Sequence, residues 1–188
     1  MGGRHPLIDE ALDRAVNNGT IIVAAAPNRT YTPMTTPAKH PKVFCIGSAY
    51  GDGRPTGANP PHEKQKFCAL GEGVRVDWNF EAPRLSHELP AGGPHRHDAG
   101  TSTATVIAAG IASLFIDYLR QISDYGRGPG NFESINKLFL SMSDHAAGQE
   151  YRFLAPWSLF QGTNYKENMK RIISEGSIIT LYLAADTI

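Results

Sequence analysis

The sequence predicts an α/β domain, with a largely parallel sheet flanked by helices and a central buried helix in its second half. Three observations carry this reading. Residues 20–26 and 43–49 are short runs of β-branched and small apolar residues without polar alternation, the pattern of strands covered on both faces. Leu7, Ile8, Leu12, Ala15 and Val16 recur at helical spacing ahead of the first run. A long apolar run from Val106 to Leu119 follows a loop of small residues. Helix, strand, strand and buried helix is an order that layered α/β proteins use.

The elements follow in chain order. The first helix covers residues 7–18, and Asn17-Asn18-Gly19 ends it. The strand over 20–26 is broken by Pro27-Asn28-Arg29-Thr30, and the strand over 43–49 closes at the turn Gly51-Asp52-Gly53. Between 67 and 83 short strands alternate with Gly71 and Gly73. Residues 85–100 are rich in Pro, Gly and His and read as a loop. The helix from Ser102 to about Gln121 is apolar nearly all round, so it is expected to be buried and central. Residues 125–131 form a Gly/Pro-rich linker. An amphipathic helix over 132–142 places Ile135, Leu138, Phe139 and Met142 on one side. A further helix is expected over 165–174 and a strand-like run over 177–185. Residues 1–124 thus read as the main domain. Residues 125–188 read as a helical and irregular extension, packed on it or partly mobile.

Composition narrows the function classes. A chain of 188 residues can bury one sizeable core. Eighteen basic residues balance eighteen acidic ones, which argues against nucleic acid or an acidic membrane surface as a partner. The start, Met1-Gly2-Gly3-Arg4-His5-Pro6, is polar and turn-like, with no secretory apolar region. Pro6 stands where a myristoylation signal needs Ser or Thr. No apolar run is expected to reach membrane-spanning length, so a cytoplasmic location is the expectation. Cys45 and Cys68 lie in apolar, strand-like surroundings and read as buried free thiols.

The chemistry centres on Gly100-Thr101-Ser102-Thr103-Ala104. A serine between a small-residue loop and an apolar helix holds its hydroxyl at the positive end of the helix dipole. Its own N–H is one of the first-turn donors without an intrahelical acceptor, so an oxyanion could be held there. A plain N-cap serine has the same local pattern.

Gly-Thr-Ser-x-Ala before an apolar helix resembles the nucleophile signature of the subtilisin-like serine peptidases. Other blocks resemble the same family in the same order. Val23-Ala24-Ala25-Ala26-Pro27-Asn28 is similar to its Val-Ala-Ala-Ala-Gly-Asn, after a helix carrying Ile8-Asp9-Glu10-Ala11. Residues 37–49, from Pro37-Ala38-Lys39-His40-Pro41 to Val43-Phe44-Cys45-Ile46-Gly47-Ser48-Ala49, resemble its next strand. Phe67-Cys68-Ala69-Leu70-Gly71 and Ala82-Pro83 lead to the nucleophile block, which runs on through Ile107-Ala108-Ala109-Gly110. The resemblance covers about residues 5 to 115 and implies the C-terminal part of the catalytic domain. It assigns the nucleophile to Ser102 and the side-chain oxyanion donor to Asn28. Ala25, Ala26 and Pro27 would line the primary specificity pocket, with Gly100 and Thr101 supporting. Pro27 replaces the family's glycine beside the asparagine, which fixes φ and removes an N–H. Val106 replaces a proline near the helix start, a change of little expected consequence.

The rest of the family's triad is missing from these blocks. The family's base lies well upstream of the asparagine, at a helix start. None of His5, His40, His62, His87, His95, His97 and His145 has that context. His95-Arg96-His97-Asp98 has metal-ligand residue types but reads as a solvated loop, and no metal or cofactor is expected. Asp52-Gly53 follows the wrong strand for the family's catalytic Asp. The implied function is peptide-bond hydrolysis through an acyl-enzyme on Ser102, with a polypeptide substrate. It requires an N-terminal half carrying Asp and His, because serine at its free pKa is a poor nucleophile. The alternative is a catalytically inactive remnant or pseudoprotease interaction module.

Overall fold

Two short apolar runs pair side by side and organise the rest. In the computed structural model, which describes residues 6–29, 32–57, 59–60, 67–77, 95–122, 131–144 and 151–160, Val23–Ala25 forms β1 and Phe44–Ala49 forms β2. They pair in parallel, with Val23 opposite Phe44. Phe67–Leu70 forms β3, parallel to β2 with Ile46 opposite Phe67. Helix α1, Pro6–Asn17, precedes β1. The expected α/β class with a largely parallel sheet is what the chain adopts.

Every residue of β2 is buried, which explains why it reads as a continuous apolar run. Alternation sends Phe44 and Ile46 to one face and Cys45 to the other. On the first face lies helix α2, Thr101–Ile122. Its Ala104, Ala108, Ala112 and Phe115 pack against Phe44, Ile46, Phe67 and Ala69. Alanine at every fourth position lets the helix approach the sheet closely. On the second face Ala24, Ala26, Ala38, Val43 and Cys45 pack with Leu12 of α1 and Met34.

Val74–Asp77 forms β4 and His95–Asp98 forms β5, an antiparallel two-stranded ribbon. The expected solvated loop over His95-Arg96-His97-Asp98 is therefore corrected to a strand. Its charged and imidazole side chains give no apolar signal, and it is held by backbone pairing to β4.

Residues after 124 enter the same sheet. Helix α3, Phe132–Ser141, is capped by Asn131, whose side chain accepts from the Ser134 N–H. It buries Ile135, Leu138 and Phe139 in the core shared with α2. Phe44 stacks on Phe132 at 4.5 Å between ring centroids. Ser143–Asp144 forms β6 and Arg152–Leu154 forms β7, which pairs parallel to β3, giving the order β1-β2-β3-β7-β6. The helix expected over 165–174 and the strand-like run over 177–185 lie outside the described residues.

Helix α2 differs from expectation in two ways. It is buried along one face rather than all round, since Val106 and Leu114 are 72% and 73% exposed. Nothing among the described residues covers that second face. It is also long and apolar enough to cross a membrane by length and composition, contrary to the sequence expectation. The packing of its alanine face on the sheet uses part of that apolar character, with 28% of the apolar stretch Thr101–Tyr118 buried.

Cys45 and Cys68 are buried free thiols. Burial pushes the Cys68 thiol up from 9.0 to about 12. Between those values the unfolded chain binds fewer protons than the folded one, so stability is full below pH 9.0 and falls as pH rises toward about 12. Denaturant midpoints measured across that window are expected to decline, and Cys68→Ala is expected to flatten the decline.

Candidate active site

Three backbone events bring the site together: β1 ends, β3 ends and α2 begins. Beyond β3, Gly71 donates its N–H to the Ala49 carbonyl at 2.9 Å. Its own carbonyl accepts the Gly100 N–H at 2.6 Å. A side chain on Gly71 would strike the Ser48 hydroxyl and stand 2.8 Å from the Gly100 carbonyl. The close approach of two loop backbones therefore requires glycine there. Gly100 has φ +121°, a conformation L side chains rarely adopt. Its carbonyl accepts the Ala104 N–H at 3.2 Å, the first bond of α2.

Thr101 is fully buried and ties the helix start to the exit of β1. Its hydroxyl lies 2.6 Å from the Ala26 carbonyl and 2.8 Å from Asn28 Oδ1, sharing one proton between two acceptors. Its N–H donates to Asn28 Oδ1 at 2.9 Å. An N–H can only donate, so the amide orientation of Asn28 is determined: Oδ1 faces Thr101 and Nδ2 faces away. The amide also lies against Gly100, where a Cβ would meet Oδ1 at 3.3 Å and Nδ2 at 3.4 Å.

Ser102 is the second residue of α2 and is exposed. Its N–H belongs to the first helical turn, where no intrahelical acceptor exists. The structure thus brings Asn28, Gly100, Thr101 and Ser102 to one place. The Asn28 amide and the Ser102 N–H are donors at the positive end of a 22-residue helix. Among the described residues the Ser102 hydroxyl has no hydrogen-bond partner.

Ala25, Ala26 and Pro27 form the strand exit that leads to Asn28. Ala25 and Pro27 are half-buried. The Ala26 side chain is taken into the cluster with Ala24, Ala38, Val43 and Cys45, and its carbonyl is what reaches the site. That carbonyl and the Gly71 carbonyl are contributors that sequence reasoning missed. Only the glycines at 71 and 100 hinted at a tight crossing of loops.

Among the described side chains, no histidine hydrogen-bonds Ser102. His40 is buried, its Nε2 facing Asp13 Oδ1 at 3.2 Å and its Nδ1 accepting the Lys42 N–H at 3.3 Å. Those contacts tie α1 to the loop before β2. His97 stands exposed on β5, and His5, His62, His87 and His145 lie outside the described residues. Asp98 is half-buried beside the start of α2, where Thr103 donates to its Oδ2 at 3.5 Å.

The tie through Thr101 is open to direct test. Thr101→Val leaves the buried Ala26 carbonyl short of a donor and is expected to cost about 1–3 kcal/mol. Thr101→Ser keeps the hydroxyl and is expected to restore most of that loss. Chemical denaturation of both variants measures the difference.

Comparison with known proteins supplies context for this geometry. No family model matches the chain. The chain is 31% identical over 111 residues to subtilisin NAT of Bacillus subtilis subsp. natto, covering 56% of this chain and 26% of that relative. A mutant of the protease domain of PatA matches with TM-score 0.67 at 22% identity, over 89% of this chain and 56% of that one. The prenylagaramide maturation protease PagA matches with TM-score 0.62 at 22% identity, over 79% and 50%. Fervidolysin from Fervidobacterium pennivorans, a keratinolytic enzyme related to subtilisin, matches with TM-score 0.64 at 20% identity, over 85% and 25%. The structural matches establish the shared fold. The chain spans about a quarter of the length of the curated relative and about half that of PatA and PagA.

Proposed function

We infer, from a chain that is part of a subtilisin-like peptidase domain, that it contributes the nucleophile and the oxyanion donors of a serine endopeptidase. The observation that carries this reading is the orientation of Asn28. Thr101 holds its Oδ1, so its Nδ2 is turned outward next to the helix start that bears Ser102.

The mechanism follows from these positions. The Ser102 Oγ attacks the carbonyl carbon of a peptide bond, and the carbonyl oxygen takes up negative charge. Asn28 Nδ2 and the Ser102 N–H stabilise that charge as it develops. The C–N bond then breaks, the amine leaves with a proton, and water hydrolyses the ester on Ser102. A general base must take the Ser102 proton and pass it to the amine. His97 and His40, the histidines with described side chains, make no hydrogen bond to Ser102. On this reading the base and its orienting acid are not among the described side chains that contact Ser102, and a family N-terminal half carrying Asp and His would supply them. A polypeptide is the expected substrate by likeness to proteases such as PagA and fervidolysin.

A second reading is an inactive module that keeps the fold without the chemistry. Pro27 beside Asn28 favours it, because proline stiffens the backbone on which the oxyanion donor rides.

One comparison separates the two. The chain alone is expected to resist fluorophosphonate labelling at Ser102. Fused behind a family N-terminal half carrying Asp and His, it is expected to cleave an unstructured peptide, and Ser102→Ala abolishes that cleavage. Asn28→Ala is expected to lower turnover by about 10²–10³-fold with little change in KM, since the donor acts on developing charge. Pro27→Gly is expected to raise turnover. A folded fusion without Ser102-dependent cleavage, with or without Pro27→Gly, supports the inactive module.

A further inference from the structure

The segment His95-Arg96-His97-Asp98 carries metal-ligating residue types, and its place in a strand changes what they can do together. β4 and β5 pair antiparallel, with Val74 opposite Asp98, Arg75 opposite His97, Val76 opposite Arg96 and Asp77 opposite His95. Residues directly opposite one another share a face, and so do residues two apart on one strand. His95, His97, Asp77 and Arg75 therefore occupy one face of the ribbon. Val74, Val76, Arg96 and Asp98 occupy the other. Burial follows this division among the described side chains. Arg75 and His97 are exposed, whereas Val74, Val76 and Asp98 are half-buried.

The spacing on the first face suits one small cation. Opposite positions such as Asp77 and His95 stand about 4.5–5.5 Å apart at Cβ, and diagonal ones such as Asp77 and His97 about 7–8 Å. Positions two apart on a strand, as His95 and His97 are, lie roughly 6.5 Å apart. Imidazole nitrogen and carboxylate oxygen ligate zinc at about 2.0–2.2 Å, so three residues at these separations can meet one ion above the face. A loop with the same residue types fixes no such spacing. The donor set is selective as well. Two imidazoles and one carboxylate suit zinc, with a fourth position left for water, whereas magnesium and calcium prefer oxygen throughout. The described side chains alone hold no group of three metal-ligating residues, and the strand register is what supplies one.

The ribbon also gains from a clasp. It stands outside the five-stranded sheet, and two strands alone are marginal in water. Its ends lead straight to the loops that build the site. β4 begins three residues after Gly71 and β5 ends two residues before Gly100, whose N–H donates to the Gly71 carbonyl. We propose that Asp77, His95 and His97 form a zinc site across β4 and β5, closing the ribbon beside the Gly71–Gly100 crossing. Arg75 is the remaining residue of that face, and its positive charge opposes the ion. Zinc here holds the loop ahead of α2 in place and takes no part in bond cleavage. The site does not depend on the reading of Ser102 as nucleophile.

The test titrates the whole chain, stripped of metal with a chelator, with zinc chloride at neutral pH. Calorimetry is expected to show one ion bound per chain. Cobalt(II) in place of zinc is expected to give the strong visible bands of a four-coordinate site. His95→Gln, His97→Gln and Asp77→Asn are each expected to weaken binding at least about tenfold, the loss that even outer partners of a bound metal produce. Arg75→Ala is expected to tighten it. Circular dichroism checks that each variant stays folded. At about a hundredfold excess over its dissociation constant, zinc is expected to raise the melting temperature by roughly 5 °C. It is also expected to slow hydrogen exchange at the Gly100 amide, and magnesium and calcium to do neither. Absence of stoichiometric binding overturns the proposal, as does binding undiminished when both histidines are replaced. Weak six-coordinate cobalt bands overturn it too. Loss in the histidine variants with Asp77→Asn unaffected overturns the three-ligand site. Zinc bound at these residues without slower exchange at Gly100 overturns the clasp.

Discussion

The hydroxyl and N–H of Thr101 are the constraint on which the site depends. Through them one fully buried residue joins the end of β1 to the start of α2. Without that tie the Asn28 amide could turn either way, and Ser102 would be an exposed serine on a helix end. With it, Oδ1 is consumed and Nδ2 is directed outward. The tie itself depends on Gly100, whose positive φ and missing Cβ let the asparagine lie against the loop. Gly71 in turn holds Gly100 through its carbonyl. The order of dependence runs from the end of β3 to the loop, from the loop to Thr101, and from Thr101 to Asn28.

Small residues set the scale of this assembly. Ala104, Ala108 and Ala112 bring α2 down onto β2 and β3. That close approach places the helix start level with the strand exits, where Ala26 and Asn28 can reach Thr101. Bulkier residues on that face would lift the helix and break hydrogen bonds of 2.6–2.9 Å. Packing on the far side of the sheet, by Leu12 and Met34 over Ala24 and Cys45, fixes the strands against which the helix is set.

Much of this was legible in the sequence, because the deciding signals were local. Residues 43–49 read as a doubly covered strand and are one. The apolar run after Ser102 read as a helix and is one. Asn28 and Ser102, far apart in sequence, were linked by resemblance alone, and the fold brings them together through parallel strands. What could not be read depends on partners. The strand over His95–Asp98 exists only because β4 pairs with it, and its polar residues carry no period. The exposed face of α2 read as buried, since apolar composition states that a face wants cover without saying that cover is present. Thr101 was named by the resemblance only as a supporting residue, without a partner. Its role lies in two acceptors more than seventy positions away.

Two features stand apart from the stability of the chain as it is. The outward Nδ2 of Asn28 satisfies nothing within the described structure, and Gly110 leaves a space that nothing fills. Gly110 costs helix stability relative to alanine, whereas the Nδ2 of the exposed Asn28 is free to bond water. The two are linked through α2. Gly110 lies on the helical face that carries Ser102, and Asn28 is bonded to the residue that precedes Ser102. Oxyanion donors can be built from local ties, because an N-terminal helix turn and an anchored amide need only their own neighbours. A proton-transfer pair cannot, because its imidazole must reach the serine from the side that the helix leaves open. On the proposed reading of Ser102 as nucleophile, the donors of Asn28 and of the first helical turn lie on the sheet side of α2, and a proton acceptor would have to reach the hydroxyl from the exposed face.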